Sequence, residues 1–224
     1  MDTNSKTQDM NIEELRAHAQ QTVQRLRAEV GRLPQESIDF ILSGARSHYA
    51  WKPIPVPEDL LREIYSIAAQ GPTSMNSCPA RFIFVTSDEA KARLGKSLKP
   101  KNLPKMMSAP VTVIVAQDLA FWQRLDFLFP HEDRKPLFEN NEAFVKDTAY
   151  RNATLQGAWL MIAARAVGLD TGPMSGFDNA VVDEEFFKGT TFRSNFLLNL
   201  GYADESALFQ KLPRFDFDDV CRII

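Results

Sequence analysis

The stretch GPTSMNSCPARFIFV, residues 71–85, joins two different kinds of sequence. Its second half is an apolar run that predicts a buried strand. Its first half is a loop whose rigid or hydrogen-bonding residues include Pro72, Thr73, Ser74 and Asn76. A stiff, polar loop against a buried strand is typical of a preorganised ligand wall, although a well-capped connection without function would have the same composition.

Strand and helix patterns alternate on both sides of this stretch. An amphipathic helix is predicted over 57–70, with Pro57 at its first position, and another over 88–98 with Ser87 as its cap. The near-continuous apolar run VTVIVAQ, residues 111–117, predicts a strand covered on both faces, and NFLLNLGY, residues 195–202, predicts a third strand.

The remaining C-terminal half supplies a long helix and a turn-rich segment. The helix is predicted over 144–167 and ends at Gly168, and the segment LDTGPMSGFDN, residues 169–179, is predicted to be turns. The tail from residue 212 is predicted to be extended. Helices that alternate with three or four buried strands predict one α+β domain with helices on both faces of its sheet.

The N-terminal part differs from the rest of the chain. Residues 1–8 are polar and predicted to be disordered, and residues 10–30 predict an exposed amphipathic helix that ends at Gly31. Its apolar stripe is thin, so the helix lies on another surface, such as a second subunit, or it is a solvent-exposed arm. We therefore divide the chain into a tail and helical arm, 1–33, and a domain, 34–224.

The bulk composition is that of an ordinary globular protein. The 224 residues are 44% hydrophobic and 25% charged, with 26 basic and 29 acidic side chains. This mildly acidic balance gives no electrostatic reason to expect nucleic acid or an anionic membrane as a partner. No stretch reaches the roughly 18 apolar residues of a membrane span, and no signal-peptide pattern is present, so the expected location is the cytoplasm.

The sequence lacks a self-sufficient catalytic set. Cys78 and Cys221 are far apart, the three histidines have no metal-ligand spacing, and a Cys–His pair involving Cys78 has only weak support. The patterns G-x-S-x-G, H-E-x-x-H, the P-loop and G-x-G-x-x-G are all missing. These observations favour a bound cofactor as the source of the chemistry.

Three separated polar loops are the candidates for binding that cofactor. Arg46, Ser47 and His48 offer a guanidinium fork and a hydroxyl for a phosphate. The loop at 71–79 offers donors and acceptors for the edge of a flat heterocycle. In the third loop, residues 173–176, a glycine permits close backbone approach to a ligand. Each of the three loops, taken alone, is also typical of an ordinary turn or connection without a ligand.

The motifs of these loops together resemble the FMN-dependent nitroreductase family. They are R-S-H at 46–48, G-P-T-S-x-N-S-x-P-A-R-F at 71–82, A-P-V at 109–111, G-L-D-x-G-P-M-S-G-F-D at 168–178 and L-P-R at 212–214. The resemblance runs from about residue 43 to the C-terminus and is strongest to a branch of malonic semialdehyde reductases. It implies a mixed sheet flanked by helices, in an intertwined homodimer whose C-terminal segments embrace the partner and whose interface holds two FMN molecules.

The resemblance also implies a set of FMN-binding residues. Arg46, Ser47 and His48 would contact the phosphate and ribityl chain, joined by Arg214, while Pro72, Thr73, Ser74 and Asn76 of the other subunit would cover the ring. Asn102 and Lys105 would lie beside the pyrimidine edge. Pro173, Met174, Ser175 and Gly176 form the remaining segment, with backbone groups near the flavin N5; many relatives carry Glu where this chain has Ser175.

The activity implied by the resemblance is a ping-pong hydride transfer. NADH or NADPH would reduce the flavin, which would then reduce a small carbonyl compound, malonic semialdehyde to 3-hydroxypropanoate. Two alternatives stay open at this point: a nitroreductase or quinone reductase of broad specificity, and a flavin-binding dimer without turnover. No side chain is predicted to be catalytic, because the chemistry would take place on the flavin.

Overall fold

A computed structural model describes residues 11–224 of the chain. The predicted disordered residues 1–8, and Met10 at the start of the predicted arm, lie outside that range. The chain divides into two compact units, Met1–Gly44 and Ala45–Ile224.

The first unit consists of a long helix and a short one. Helix α1 spans Ile12–Glu29, and the side chain of Asn11 caps it by accepting hydrogen bonds from the backbone amides of Glu13 and Glu14. The Glu14 carboxylate accepts in return from the Asn11 amide, which completes a capping box. Helix α2, Gln35–Ile38, continues into a wider turn at Asp39–Ser43. The predicted helix at 10–30 is confirmed with slightly different bounds.

The second unit contains four strands and the remaining helices of the described chain. The strands are β1 (Ala80–Val85), β2 (Val111–Asp118), β3 (Asp170–Met174) and β4 (Phe192–Gly201). The helices are α3 (Glu58–Ala68), α4 (Asp88–Gly95), α5 (Leu103–Ser108), α6 (Leu125–Leu128), α7 (Glu142–Ala166), α8 (Asn179–Phe186) and α9 (Phe217–Val220). Single 3₁₀ turns occur at Ser74–Asn76, Phe121–Arg124, Lys135–Leu137 and Glu205–Ala207.

The four strands form one sheet in the order β1-β2-β4-β3, and each neighbouring pair is antiparallel. The parallel pairing expected of a mixed sheet is limited, within residues 11–224, to an isolated bridge between Ser47 and Thr171 beside β3. Strand β2 is central, and all but one of its residues are buried. The prediction that its continuous apolar run is covered on both faces is therefore confirmed.

Helices cover both faces of this sheet, because successive strand residues point to opposite sides. Val113 packs on one side with Leu160 of α7 and with α3, whereas the next residue, Ile114, packs on the other side with Met106 of α5 and Val182 of α8. The predicted α+β architecture is thus present. A smaller apolar cluster, centred on the edge-to-face pair Phe121 and Phe138, lies between β2 and α7 in sequence.

Several local predictions were wrong. The segment predicted to be turns contains β3. Because β3 is an edge strand, Pro173, which has no backbone N–H, is not required to donate a hydrogen bond to a further strand. Pro57 is the cap rather than the first residue of α3, which begins at Glu58. Helix α5 and the short helices between β2 and α7 were not predicted, and the tail is not wholly extended because it contains α9.

Two further properties concern the described part of the chain only. No helix between residues 11 and 224 is long and apolar enough to cross a membrane. Within the same range, His, Cys, Asp and Glu side chains form no group of three or more that could hold a metal ion.

Candidate functional site

The segment that carries Arg46, Ser47 and His48 runs beside edge strand β3. The His48 amide donates to the Thr171 carbonyl at 3.0 Å, next to the bridge between Ser47 and Thr171. The backbones approach so closely at Gly172 that a Cβ there would lie 2.4 Å from the His48 carbonyl oxygen. Glycine at this position therefore fixes the first predicted loop against β3.

A second group of predicted residues meets this segment. The Asn102 Nδ2 donates to the Gly176 carbonyl at 3.1 Å, and its Oδ1 accepts from Lys105 Nζ at 3.3 Å. The same ammonium lies 4.6 Å from the centre of the Tyr49 ring, a cation–π contact that links it to the segment following Arg46. We call Arg46, Ser47, Asn102, Lys105 and Gly176 the β3-edge site.

The β3-edge site carries two cations without carboxylate partners. Arg46 donates to the Phe209 carbonyl at 2.5 Å, and Lys105 contacts only the Asn102 amide and the Tyr49 ring. Neither side chain forms an ion pair within the described residues. Two such cations beside backbone and amide donors are suited to binding an anionic ligand with a polar edge.

The loop at 71–79 is held rigidly at the other edge of the sheet. The Ser74 amide donates to the buried Asn152 side chain at 2.8 Å, and Asn76 Nδ2 donates to the Leu128 carbonyl at 2.9 Å. Thr73 Oγ1 accepts from the Cys78 amide at 3.2 Å. Met75, Asn76 and Cys78 have φ angles of 54°, 48° and 41°, a strained region for residues other than glycine, so their surroundings determine this conformation.

Helix α7 separates this loop from Pro173, Met174 and Ser175 of the third predicted segment. The loop and the start of β1 bond to Asn152 and Gln156 of α7. The opposite side of the helix, about 180° around its axis, carries Ala158 and Met161. Those residues line a groove of about 300 Å³ together with Pro173, Met174 and Ser175. One chain therefore does not bring the loop and the third predicted segment onto a common surface.

Two predicted residues lie elsewhere. Arg214 is exposed and donates only to the carbonyls of Leu212 and Pro213, its own neighbours, so the structure does not join it to Arg46. The His48 ring is buried, with its Nε2 3.2 Å from Asp170 Oδ1 and its Nδ1 shielded from solvent. Only the backbone of His48, and not its imidazole, takes part in the surface of the β3-edge site.

Several residues of the site were missed in the sequence. Tyr49 directly follows the R-S-H motif, and Gly172 lies within the motif at 168–178. Tyr49 matters because it contacts Lys105, and Gly172 because its backbone approaches His48. No spacing rule predicts either contact. Asn152 sits inside α7, where a buried amide among helix formers is a weak signal for a side chain that bonds outside its own helix.

Asp170 gives the buried His48 a charged partner and makes stability depend on pH. Burial raises the pKa of Asp170, but hydrogen bonds from His48 and from the Ala203 amide outweigh it and lower the pKa below its usual value. A carboxyl with a lowered folded-state pKa stabilises the protein above its unfolded pKa of about 3.9 and ceases to do so as pH falls through the folded value.

We expect Asp170→Asn to lower the free energy of unfolding by about 1 kcal/mol at pH 7, a modest figure because the carboxylate is partly solvated. The difference from the unsubstituted protein should shrink as pH falls towards 3. Urea unfolding at pH 7 and at pH 3.5 measures both values. An equal difference at both pH values would show that the charge of Asp170 contributes nothing.

Comparison with known proteins places this chain in a family. The Nitroreductase family matches residues 42–202 of the chain. A curated protein of Burkholderia lata named NADH dehydrogenase/NAD(P)H nitroreductase is 54% identical over 191 residues, which cover 85% of this chain and 98% of that protein.

Two solved structures share the fold at lower identity. A nitroreductase from Exiguobacterium sibiricum, in complex with FMN, has a TM-score of 0.72 and 23% identity, over 82% of this chain and 95% of the other. An NAD(P)H:FMN oxidoreductase from Staphylococcus epidermidis has a TM-score of 0.73 and 22% identity, over 82% and 94%. The family match and the Burkholderia relative decide the assignment, and the chain belongs to the Nitroreductase family.

Proposed function

We propose that this chain is an FMN-dependent NAD(P)H oxidoreductase whose cofactor site is completed by a second copy of the chain. The observation that carries the proposal is the β3-edge site, where Arg46 and Lys105 lie without carboxylate partners beside Asn102 and the Gly176 backbone. The family membership and the names of the relatives support the same reading.

The donor set of the β3-edge site fits FMN. Arg46 and Ser47 would hold the phosphate and ribityl chain, because a guanidinium and a hydroxyl give charge-assisted and neutral hydrogen bonds to these groups. Asn102 and Lys105 would meet the polar pyrimidine edge. A Cβ at Gly176 would lie 2.3 Å from Asn102 Nδ2, so glycine there keeps both the amide and the backbone open to a ligand.

The rigid loop would supply the opposite wall in the partner chain. Pro72, Ser74 and Asn76 are exposed, while the Ser74 backbone is anchored to a buried amide. The loop and residues 173–175 of the third predicted segment lie on opposite sides of α7, which supports a site shared between two chains. The exposed apolar side chains of the tail, including Phe215 and Ile223 with 79% and 91% of their surface accessible, are available for that dimer contact.

FMN, when bound, would supply hydride transfer between NAD(P)H and an acceptor. The chain itself orients the cofactor and excludes water from one of its faces, and the positive charge of Lys105 favours additional negative charge at the neighbouring edge. No side chain is required as a nucleophile in this function.

For the acceptor we propose a small carbonyl compound, with malonic semialdehyde and its product 3-hydroxypropanoate as the specific pair. The resemblance of residues 71–82 and 168–187 to that branch supports it. A nitroaromatic or quinone acceptor is the second candidate, favoured by the name of the Burkholderia relative. A flavin-binding dimer without turnover is the third, and it requires that NADH or NADPH leave bound FMN oxidised.

An absorption spectrum of the purified protein, followed by anaerobic addition of NADH or NADPH, tests the function. We expect a flavin spectrum that bleaches with a nicotinamide and returns with an acceptor. Comparison of kcat/KM for malonic semialdehyde, a nitrofuran and a quinone then ranks the acceptors. A protein that fails to bind added FMN would refute the cofactor, and bound FMN that never bleaches would support the third candidate.

A further inference from the structure

Helix α1 carries an apolar stripe that nothing else in the described part of its own unit covers. Its members repeat every three or four residues and lie within about 80° of one another around the helix axis; they are Ile12, Leu15, Ala19, Val23 and Leu26. Leu15, Val23 and Leu26 expose 40%, 48% and 47% of their surface, and α1 has no buried residue. Since most helical stability in proteins comes from packing of an apolar face rather than from helix propensity, the stripe calls for a packing partner.

The charges of α1 divide into two unlike halves. The first half contains two glutamates and one arginine, and the second half contains two arginines and one glutamate; these are Glu13, Glu14, Arg16, Arg25, Arg27 and Glu29. The two halves of α1 therefore carry net charges of opposite sign. A second α1 in the antiparallel direction places unlike halves together, whereas a parallel one places like against like.

We infer that α1 packs antiparallel against α1 of a second copy of this chain. In that pairing Leu15 lies opposite Leu26 of the second copy, and Ala19 lies opposite Val23. Glu13 then lies opposite Arg27, on the same flank of the stripe. One alignment thus pairs the apolar positions with one another and also brings Glu13 to Arg27.

This helix lies outside the part of the chain that matches the family. The 191 aligned residues make up 98% of the Burkholderia relative, so that protein is about 30 residues shorter than the 224 residues here. The family match begins only at residue 42. The pairing of α1 is therefore an assembly contact specific to chains with this arm, and it does not depend on the proposed cofactor or acceptor.

Cysteine crosslinking of the full chain tests the pairing and its direction. Leu15→Cys and Leu26→Cys are introduced separately, with Cys78→Ser and Cys221→Ser, into two chains with different tags that are expressed together. After mild oxidation we expect disulfide-linked dimers between the two different variants, at least about tenfold above those within either variant expressed alone. Gln21→Cys, on the opposite side of α1, is the matched control and should remain unlinked.

Three outcomes would overturn the inference. Crosslinks that form with Leu15→Cys alone and with Leu26→Cys alone would indicate a parallel pair. An absence of crosslinks between chains would mean that α1 covers a surface of its own chain or of another partner. Binding of the full chain to vesicles of phosphatidylserine and phosphatidylcholine that disappears when residues 1–33 are removed would assign the stripe to a membrane surface instead.

Discussion

Arg46→Ala is expected to weaken FMN binding by about 10- to 100-fold. The proposed site places this guanidinium on the phosphate, and a hydrogen bond to a charged group contributes about 1.5–3 kcal/mol, with each 1.4 kcal/mol corresponding to a factor of ten. Fluorescence titration of the cofactor-free protein with FMN measures the loss. The secondary structure should not change, because the one hydrogen bond that the Arg46 side chain makes within residues 11–224 goes to the Phe209 carbonyl.

Two matched variants separate phosphate binding from other effects. Arg46→Lys keeps the charge but loses the fork, so it should recover part of the affinity. Arg62→Ala removes an arginine of α3 that pairs with Glu58 and lies outside the site, and FMN affinity should not change. Equal affinities for Arg46→Ala and the unsubstituted protein would remove Arg46 from the proposed site.

Gly172→Ala is expected to lower the free energy of unfolding by about 2–3 kcal/mol, the usual scale of overpacking. The added Cβ would lie 2.4 Å from the His48 carbonyl oxygen and 3.0 Å from the Trp51 ring. The oxygen belongs to backbone that is bonded to β3, so it cannot move aside without opening the Ser47–Thr171 bridge. For a unit of this size the melting temperature should fall by roughly 4–12 °C.

The control for this prediction is a glycine with space around it. A Cβ at Gly31 would lie 4.0 Å from the Arg27 carbonyl, an ordinary contact, so Gly31→Ala should be nearly neutral. Thermal unfolding and urea unfolding of both variants provide the comparison. A Gly172→Ala variant as stable as Gly31→Ala would mean that the backbone at His48 can shift without cost, and that the first predicted loop is not fixed by β3.

Most of the fold could be predicted from the periodicity of the sequence. The strands β1, β2 and β4 and the helices α1, α3, α4 and α7 have regular apolar patterns, and such patterns depend little on the rest of the chain. Strand β1 was predicted to be buried, but it is an edge strand in which only the first and last residues are buried. Strand β3 was missed because Gly172 and Pro173 indicate a turn when only neighbours in sequence are considered. Its extended form depends on pairing with β4, which no local pattern describes.

The candidate site was predictable in its parts but not in its arrangement. Arg46 and Gly176 were chosen from the chemistry of their loops, Asn102 and Lys105 were chosen by resemblance, and the structure brings the four together. His48 was predicted to belong to the same site, but its ring points inward to Asp170. These two residues are far apart in sequence and become neighbours only in the folded chain, so no local pattern predicts their contact. The position of α7 between the loop and residues 173–175 is likewise a property of packing, and it supports the proposal of a site shared by two chains.

We propose that each FMN site is formed by the β3-edge site of one chain and the loop of a second chain. Complementation between two defective chains tests this most directly. Arg46→Ala disables the β3-edge site, and Ser74→Trp blocks the exposed surface of the loop while leaving the Ser74 amide able to bond to Asn152. Each variant alone should bind FMN weakly. The two chains carry different tags, are expressed together, and are purified as the mixed dimer.

We expect the mixed dimer to bind one FMN per two chains with the affinity of the unsubstituted protein, because one of its two sites combines an intact β3-edge site with an intact loop. The other site carries both defects. If each site instead belonged to a single chain, both sites of the mixed dimer would contain one defect. Titration would then find no tight FMN site, and that result would contradict the account.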